Sequence, residues 1–232
     1  MQHISVILEA GIMGAAFGDD ITSGAADRTR PTISELVVTH HRVQVAIDAA
    51  RAWQQRRREQ ADAGLPTRSS LVLVAAAGSD PLKQTGYGCG KTHIARACLW
   101  TIAHLIDGEP VAPVGRFFTA DQLIQRLDAG TPASAEIGHA PIIVIDDVGT
   151  EQQIPYVPSA RQDDERRSRY FKAIDYCYTE GISVLITGNM RLNDLQAHMG
   201  GRAWSRLLEM APTGQMVDMT GVPDYRRREG GR

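Results

Sequence analysis

Long apolar runs are missing from this chain. No stretch approaches the roughly 20 apolar residues that a membrane-crossing helix requires, so neither a helical span nor a membrane partner is expected. Cysteine is scarce: Cys89, Cys98 and Cys177 form an odd set with neither close pairing nor metal-ligand spacing. That excludes a disulfide framework and structural zinc, and it points to free thiols in a reducing compartment. Excess charge of either sign is also lacking, since 25 Lys and Arg stand against 27 Asp and Glu for a net charge of -2. Contact with nucleic acid therefore needs a local basic patch rather than a global field. Residues 4–16 are fairly apolar, but no basic residue precedes them and Glu9 interrupts them, which argues against a secretory signal and for a cytoplasmic protein.

What is present, 43% apolar and 22% charged residues over 232 positions, suits one globular domain with a modest appendage. Residues 1–31 keep no sustained helical or alternating period and read as a loosely ordered arm. Its isolated apolar cluster, Ile4, Val6, Ile7 and Leu8, fits either a tail or a segment that orders on a partner protein. Residues 32–228 form the domain and 229–232 a tail. Thr32 and Glu35 have capping-box spacing ahead of a helical stripe, Val43, Ala46, Ile47, Ala50 and Trp53, running towards Gly64. The run Arg56-Arg57-Arg58 near its end reads as a solvated face.

From Leu71 the chain turns continuously apolar, Leu71-Val72-Leu73-Val74-Ala75-Ala76, as a strand buried on both faces of a parallel sheet does. After an insertion at residues 78–84 comes Thr85-Gly86-Tyr87-Gly88-Cys89-Gly90-Lys91-Thr92, then a stripe of Ala95, Cys98, Leu99, Ile102 and Ile106 predicting a helix to about Gly108. Residues 114–118 read as a strand, with Phe117 and Phe118 more suited to burial than to base stacking beside Arg126, and Thr119 and Gln122 as a capping box. Ile142-Ile143-Val144-Ile145 then runs into Asp146-Asp147. Beyond a polar loop with Arg166, Arg167 and Arg169 read as solvated, Tyr170, Phe171, Ile174 and Tyr178 form a helical stripe ending at Gly181. Residues 183–187 form a strand ending at Gly188-Asn189, two short helices follow, and residues 215–220 read as a fifth strand. Alternating strands and helices predict a three-layer α/β domain with a mostly parallel sheet and ligands at the carboxyl ends of the strands.

The chemistry follows from the loop. Glycines let backbone N–H groups approach phosphate oxygens, a lysine reaches the β and γ phosphates, and a threonine hydroxyl holds Mg²⁺ at a helix N-terminus. Gly86, Gly88, Cys89, Gly90, Lys91, Thr92 and His93 are the nucleotide-binding candidates for ATP, with Thr92 and Asp146 for Mg²⁺. Asp147 is placed to orient or deprotonate the attacking water, with Glu151 as a substitute base. Asn189 can reach the γ-phosphate or that water. Arg206 can act as an arginine finger on a neighbouring subunit, and Arg226 can contact phosphate in its own.

Taken together, Gly88-Cys89-Gly90-Lys91-Thr92-His93, Ile145-Asp146-Asp147-Val148-Gly149-Thr150-Glu151, Thr187-Gly188-Asn189-Met190, Gly201-Arg202-Ala203-Trp204-Ser205-Arg206-Leu207 and the closing Thr220-Gly221 to Asp224-Tyr225-Arg226 resemble DnaC-type helicase loaders of the AAA+ class, over residues 35–228. The IstB-type transposition helpers, which bind double-stranded DNA and recruit a transposase, are their nearest relatives. The resemblance implies an AAA+ ATPase core with Asp146 and Asp147 as metal and water-activating acids, Asn189 as γ-phosphate sensor, Arg206 as trans finger, Arg226 as second sensor and Arg202 in an assisting role. It also implies self-association with ATP at subunit interfaces, single-stranded DNA, and a replicative DnaB-type helicase as partner. Thr85 stands where the phosphate-loop pattern has glycine, and the arm is much shorter than a full helicase-binding domain. Only six residues follow Arg226, so little or no C-terminal helical lid is expected.

Overall fold

The computed structural model describes residues 33, 38, 40–76, 88–100, 103–106, 109–128, 130–212 and 215–224. Five strands, β1 (Ser70–Val74), β4 (Arg116–Thr119), β5 (Ile142–Val148), β6 (Ser183–Gly188) and β7 (Met216–Asp218), form a parallel sheet in the order β4-β5-β6-β1-β7. Residues of β1 and β6 are buried throughout, and those of β5 nearly so. Their continuous apolar runs reflect helices covering both faces of the sheet.

Side-chain alternation assigns each strand residue to a layer. Leu71, Leu73, Ile142, Val144 and Leu185 face α1 (His41–Asp62) and α2 (Lys91–Leu99). Val72, Val74, Ile143, Ile145, Val184 and Ile186 face α3 (Ala120–Arg126), α4 (Ala133–Ile137), α5 (Gln162–Glu180), α6 (Leu192–Met199) and α7 (Gly201–Met210). The three-layer α/β architecture is therefore as expected, and the anticipated capping box at Thr119 and Gln122 opens α3.

Two local expectations are corrected. The helix α1 opens at His41, capped by His40, whose ring accepts from the Arg42 N–H at 3.2 Å; the expected cap at Thr32 and Glu35 lies outside the described residues. The helix α2 stops at Leu99 instead of near Gly108, and β2 (Ala103–Ile106) pairs antiparallel with β3 (Glu109–Pro113). Between them stands Asp107-Gly108, a dipeptide that favours two-residue hairpin turns and overrides the helical stripe of Ile102 and Ile106.

The arginines differ most from expectation. Arg57 is buried, one turn after Trp53 with its guanidinium 5.2 Å from that ring. It donates to Ser183 Oγ at 2.7 Å and to the Pro141 carbonyl at 3.3 Å, tying α1 to the starts of β5 and β6. Loss of solvent pushes its pKa down to about 10. Arg169 is likewise buried, bonding Glu165 at 2.8 Å and the Ile124 carbonyl of α3 at 2.6 Å. Arg167 keeps a partly exposed side chain. No helix among the described residues is long and apolar enough to cross a membrane.

Candidate nucleotide site

At the carboxyl edge of the sheet the chain enters α2 through Gly88 and Gly90, with φ of 63° and 95°, a left-handed backbone that residues with a Cβ adopt at a cost. Gly90 is the N-cap of α2, and no side chain caps that end. Cys89 and Lys91 are buried, with the lysine Nζ 3.5 Å from the Cys89 sulfur, and Thr92 and His93 follow half-buried in the first turn. The absent side chain at Gly88 is itself a packing requirement: a Cβ there would fall 1.8 Å from Asp224 Oδ1. The segment after β7 thus lays a carboxylate against the loop. Thr85, Gly86, the insertion at 78–84 and Arg226 lie outside the described residues.

Asp146 shares the sheet face of Ile142 and Val144, the face that α2 covers, because its position in β5 is in phase with theirs. Thr92 Oγ1 donates to its carboxylate, 3.0 Å from Oδ1 and 3.1 Å from Oδ2, and Thr187 Oγ1 donates to Oδ1 at 2.5 Å. Burial foremost, then the neighbouring Asp147 charge, hold the Asp146 carboxyl above the usual carboxylate range against the Thr187 and Thr92 bonds and the Arg96 charge.

Asp147 breaks the alternation. The β5–β6 register shifts between Ile145 and Val148, and Asp147 takes a φ of 59° in that irregularity. A left-handed non-glycine residue costs about 1–2 kcal/mol, least for Asp and Asn, and local bonds offset it. Its N–H donates to Thr187 Oγ1 at 2.9 Å, the Thr150 hydroxyl donates to its carbonyl at 2.8 Å, and its Oδ1 accepts from Asn189 Nδ2 at 3.1 Å. Lys91, Thr92, Asp146, Asp147 and Asn189 therefore lie at one edge, around the N-terminus of one helix.

Glu151 does not join them as a second base. Its buried carboxylate accepts from Tyr170 Oη of α5, from His198 Nε2 of α6 at 2.9 Å and from the Gly149 N–H at 3.0 Å. Burial opposes the charge, but the bonds from His198 and Tyr170 outweigh it and hold Glu151 below the usual carboxylate range. Its place is that of a tie between the loop after β5 and two helices.

Arg206 lies at the other end of the sheet. The helix α5 runs back from the carboxyl edge and ends at Glu180 just before β6 begins, which puts its last turns at the amino edge. There Arg206 bonds Asp175 at 3.1 Å and stacks 4.4 Å from the Tyr178 ring centroid. The Leu207 carbonyl accepts from Ser70 Oγ, at the first residue of β1, at 2.8 Å. The glycine-rich loop of its own chain is thus out of reach, and the side chain is 36% exposed. Arg202 stacks on Phe171, 3.7 Å from the ring centroid.

Sequence reasoning passed over three residues. Thr187 opens the Thr187-Gly188-Asn189-Met190 motif, in phase with Asn189 at the end of an apolar strand, but no role was read for its side chain. Asp224 belongs to the closing Asp224-Tyr225-Arg226 motif, but nothing in the sequence placed it against Gly88. Tyr156 sits in the loop between β5 and α5, at the same edge as the glycine-rich loop, fully exposed with a φ of 62°. Its neighbours are pinned by Gln162, which bonds Ile154 N at 2.8 Å, Ile154 O at 3.0 Å and Val157 O at 2.7 Å; Pro155 before the tyrosine was the available hint.

No family model and no curated protein sequence matches the chain. Solved structures do. The DnaC helicase loader is similar over 84% of this chain and 99% of its own, with a TM-score of 0.55 and 21% identity. DnaI covers 84% of this chain and 90% of its own, with a TM-score of 0.52 and 14% identity. Domain III of the Thermotoga maritima replication initiation protein DnaA covers 86% of this chain and 70% of its own, with a TM-score of 0.52 and 14% identity. The fold is the AAA+ P-loop NTPase fold.

Proposed function

We propose that this protein binds and hydrolyses ATP and uses the cycle to load or remodel a replicative DnaB-type helicase on single-stranded DNA. The observation that carries the reading is the convergence of Lys91, Thr92, Asp146, Asp147 and Asn189 at the N-terminus of α2, on a fold shared with a helicase loader. The donor set is a hydroxyl and a carboxylate, the hard oxygen ligands that suit Mg²⁺, so Thr92 and Asp146 would hold the ion. An ion held there would supply positive charge to offset the charge that develops on the phosphates. Backbone N–H groups at the start of α2 and the Lys91 ammonium bind the phosphates. Asp147 takes a proton from water as its oxygen bonds the γ-phosphorus and the bond to the β-phosphate oxygen breaks, and Asn189 orients that water. Before ATP binds, Asn189 and Asp147 hold each other, so the γ-phosphate competes for the amide.

Arg206, half-buried and paired with Asp175 at the edge opposite its own loop, supports self-association with ATP at subunit interfaces. Arg206→Ala is expected to leave ATP affinity unchanged and to lower kcat about 1,000-fold, with loss of cooperativity. Steady-state hydrolysis measured against protein concentration checks this, and normal turnover would remove the interface role. Tyr156 on its pinned loop supports the DNA contact, since every base offers a face for stacking. Tyr156→Ala should weaken single-stranded DNA binding by about 1–3 kcal/mol with ATP binding intact, read by anisotropy of a labelled oligonucleotide.

The decisive experiment is co-purification with the cognate replicative helicase, with and without ATP. Retention of the helicase supports the loader reading; absence of any complex under both conditions rejects it.

A further inference from the structure

Thr187 occupies a singular position among the described residues. It is fully buried, it belongs to β6, and it shares the sheet face of Leu185, which packs towards α2. Its single hydroxyl proton goes to Asp146 Oδ1 at 2.5 Å, while its oxygen accepts the Asp147 N–H at 2.9 Å. The bonds thus run in one direction, from the backbone of one acid through a strand-borne hydroxyl to the carboxylate of the other. Oδ1 of Asp146 is occupied by Thr187 and approached by Thr92 at 3.0 Å, whereas Oδ2 has Thr92 alone, at 3.1 Å. Thr187 therefore selects which oxygen remains for a ligand. The same hydroxyl satisfies the N–H exposed where the ladder breaks, and so supports the left-handed turn that aims Asp147 at Asn189.

We infer that Thr187 is the positioning residue for both acids, and that its hydroxyl sets the Mg²⁺ affinity of the nucleotide complex. The inference rests on the ATPase reading above. A partner of a metal-holding carboxylate acts by fixing its orientation, and losing such a partner costs 10- to 100-fold in metal affinity as a rough rule. Valine matches threonine in shape and lacks the hydroxyl; serine keeps the hydroxyl and lacks the methyl group.

The test is a Mg²⁺ titration of fluorescent ATP-analogue binding to wild type, Thr187→Val and Thr187→Ser, with amide exchange at Asp147 followed in nucleotide-free protein. In Thr187→Val the Mg²⁺ half-saturation should rise roughly 10- to 100-fold, analogue binding in EDTA should stay unchanged, and the Asp147 N–H should exchange faster. Thr187→Ser should titrate close to wild type. A Thr187→Val titration matching wild type overturns the inference, as does a serine variant that falls as far as the valine variant, which would mean packing alone matters. If Thr187→Val does not fold, Thr187→Ala is read by the same two measurements. Wild type that binds no analogue with Mg²⁺ present defeats the ATPase reading itself; faster Asp147 exchange in Thr187→Val than in wild type and Thr187→Ser is scored without nucleotide.

Discussion

Lys91→Ala should abolish detectable ATP binding. Its ammonium is buried at the first residue of α2, 5% exposed, and within the phosphate reading it is the only lysine of the loop. Hydrogen bonds to charged groups contribute about 1.5–3 kcal/mol each, and a triphosphate offers the ammonium more than one partner. A loss of about 3–4 kcal/mol is a fall of two to three orders of magnitude in affinity. Calorimetric titration with ATP and Mg²⁺ measures it directly. An unchanged dissociation constant would mean that the loop from Gly88 to Thr92 is not a phosphate cradle.

Asp146→Asn should separate stability from function. Burial holds the Asp146 carboxyl above its ordinary value of 3.8, so its ionisation at neutral pH costs stability in the metal-free protein. The sign follows from proton binding. Between the ordinary value and the raised one the folded chain holds more protons than the unfolded chain, so stability falls as pH rises through that window. The asparagine variant lacks this slope. Nucleotide-free Asp146→Asn is therefore expected to melt higher than wild type above the window, by roughly 2–4 °C for each kcal/mol recovered in a chain of this size. Nucleotide binding should at the same time lose its Mg²⁺ dependence. Melting curves across pH, paired with Mg²⁺ titrations, read both effects. A variant that melts lower than wild type at neutral pH would show that the bonds from Thr92 and Thr187 outweigh the burial of the charge.

The parts of the site legible in the sequence share a property: each is written in consecutive residues. Four branched apolar residues before Asp146 predict a strand buried on both faces, and Gly88 to Thr92 predicts a strand-to-helix turn at a phosphate, because short-range backbone constraints decide both. The Thr119–Gln122 cap was readable for the same reason. Arg57 and Arg169 were not. Whether a guanidinium is solvated or buried depends on carbonyls that other segments bring to it, here those of Pro141 and Ile124. The misjudged helix after Leu99 is a conflict of local signals, in which Asp107-Gly108 and two prolines prevailed over an apolar stripe of matching period.

The alternation of the five sheet strands with helices, the glycine-rich turn into α2 and the placing of acids at a strand end were determined by the amino-acid sequence alone. Tertiary structure decided how those acids are held. The register of β5 against β6 turns Asp147 out of alternation, sets the Thr187 hydroxyl between two carboxylate-bearing residues and brings Asn189 within 3.1 Å of one of them. It also carries Arg206 to the opposite edge from the loop it was expected to serve in a neighbour. Strand pairing joins residues some forty positions apart in the chain, Asp147 and Thr187 among them. No local pattern encodes such a pairing, because its register is fixed only when both strands bury their faces in the same core.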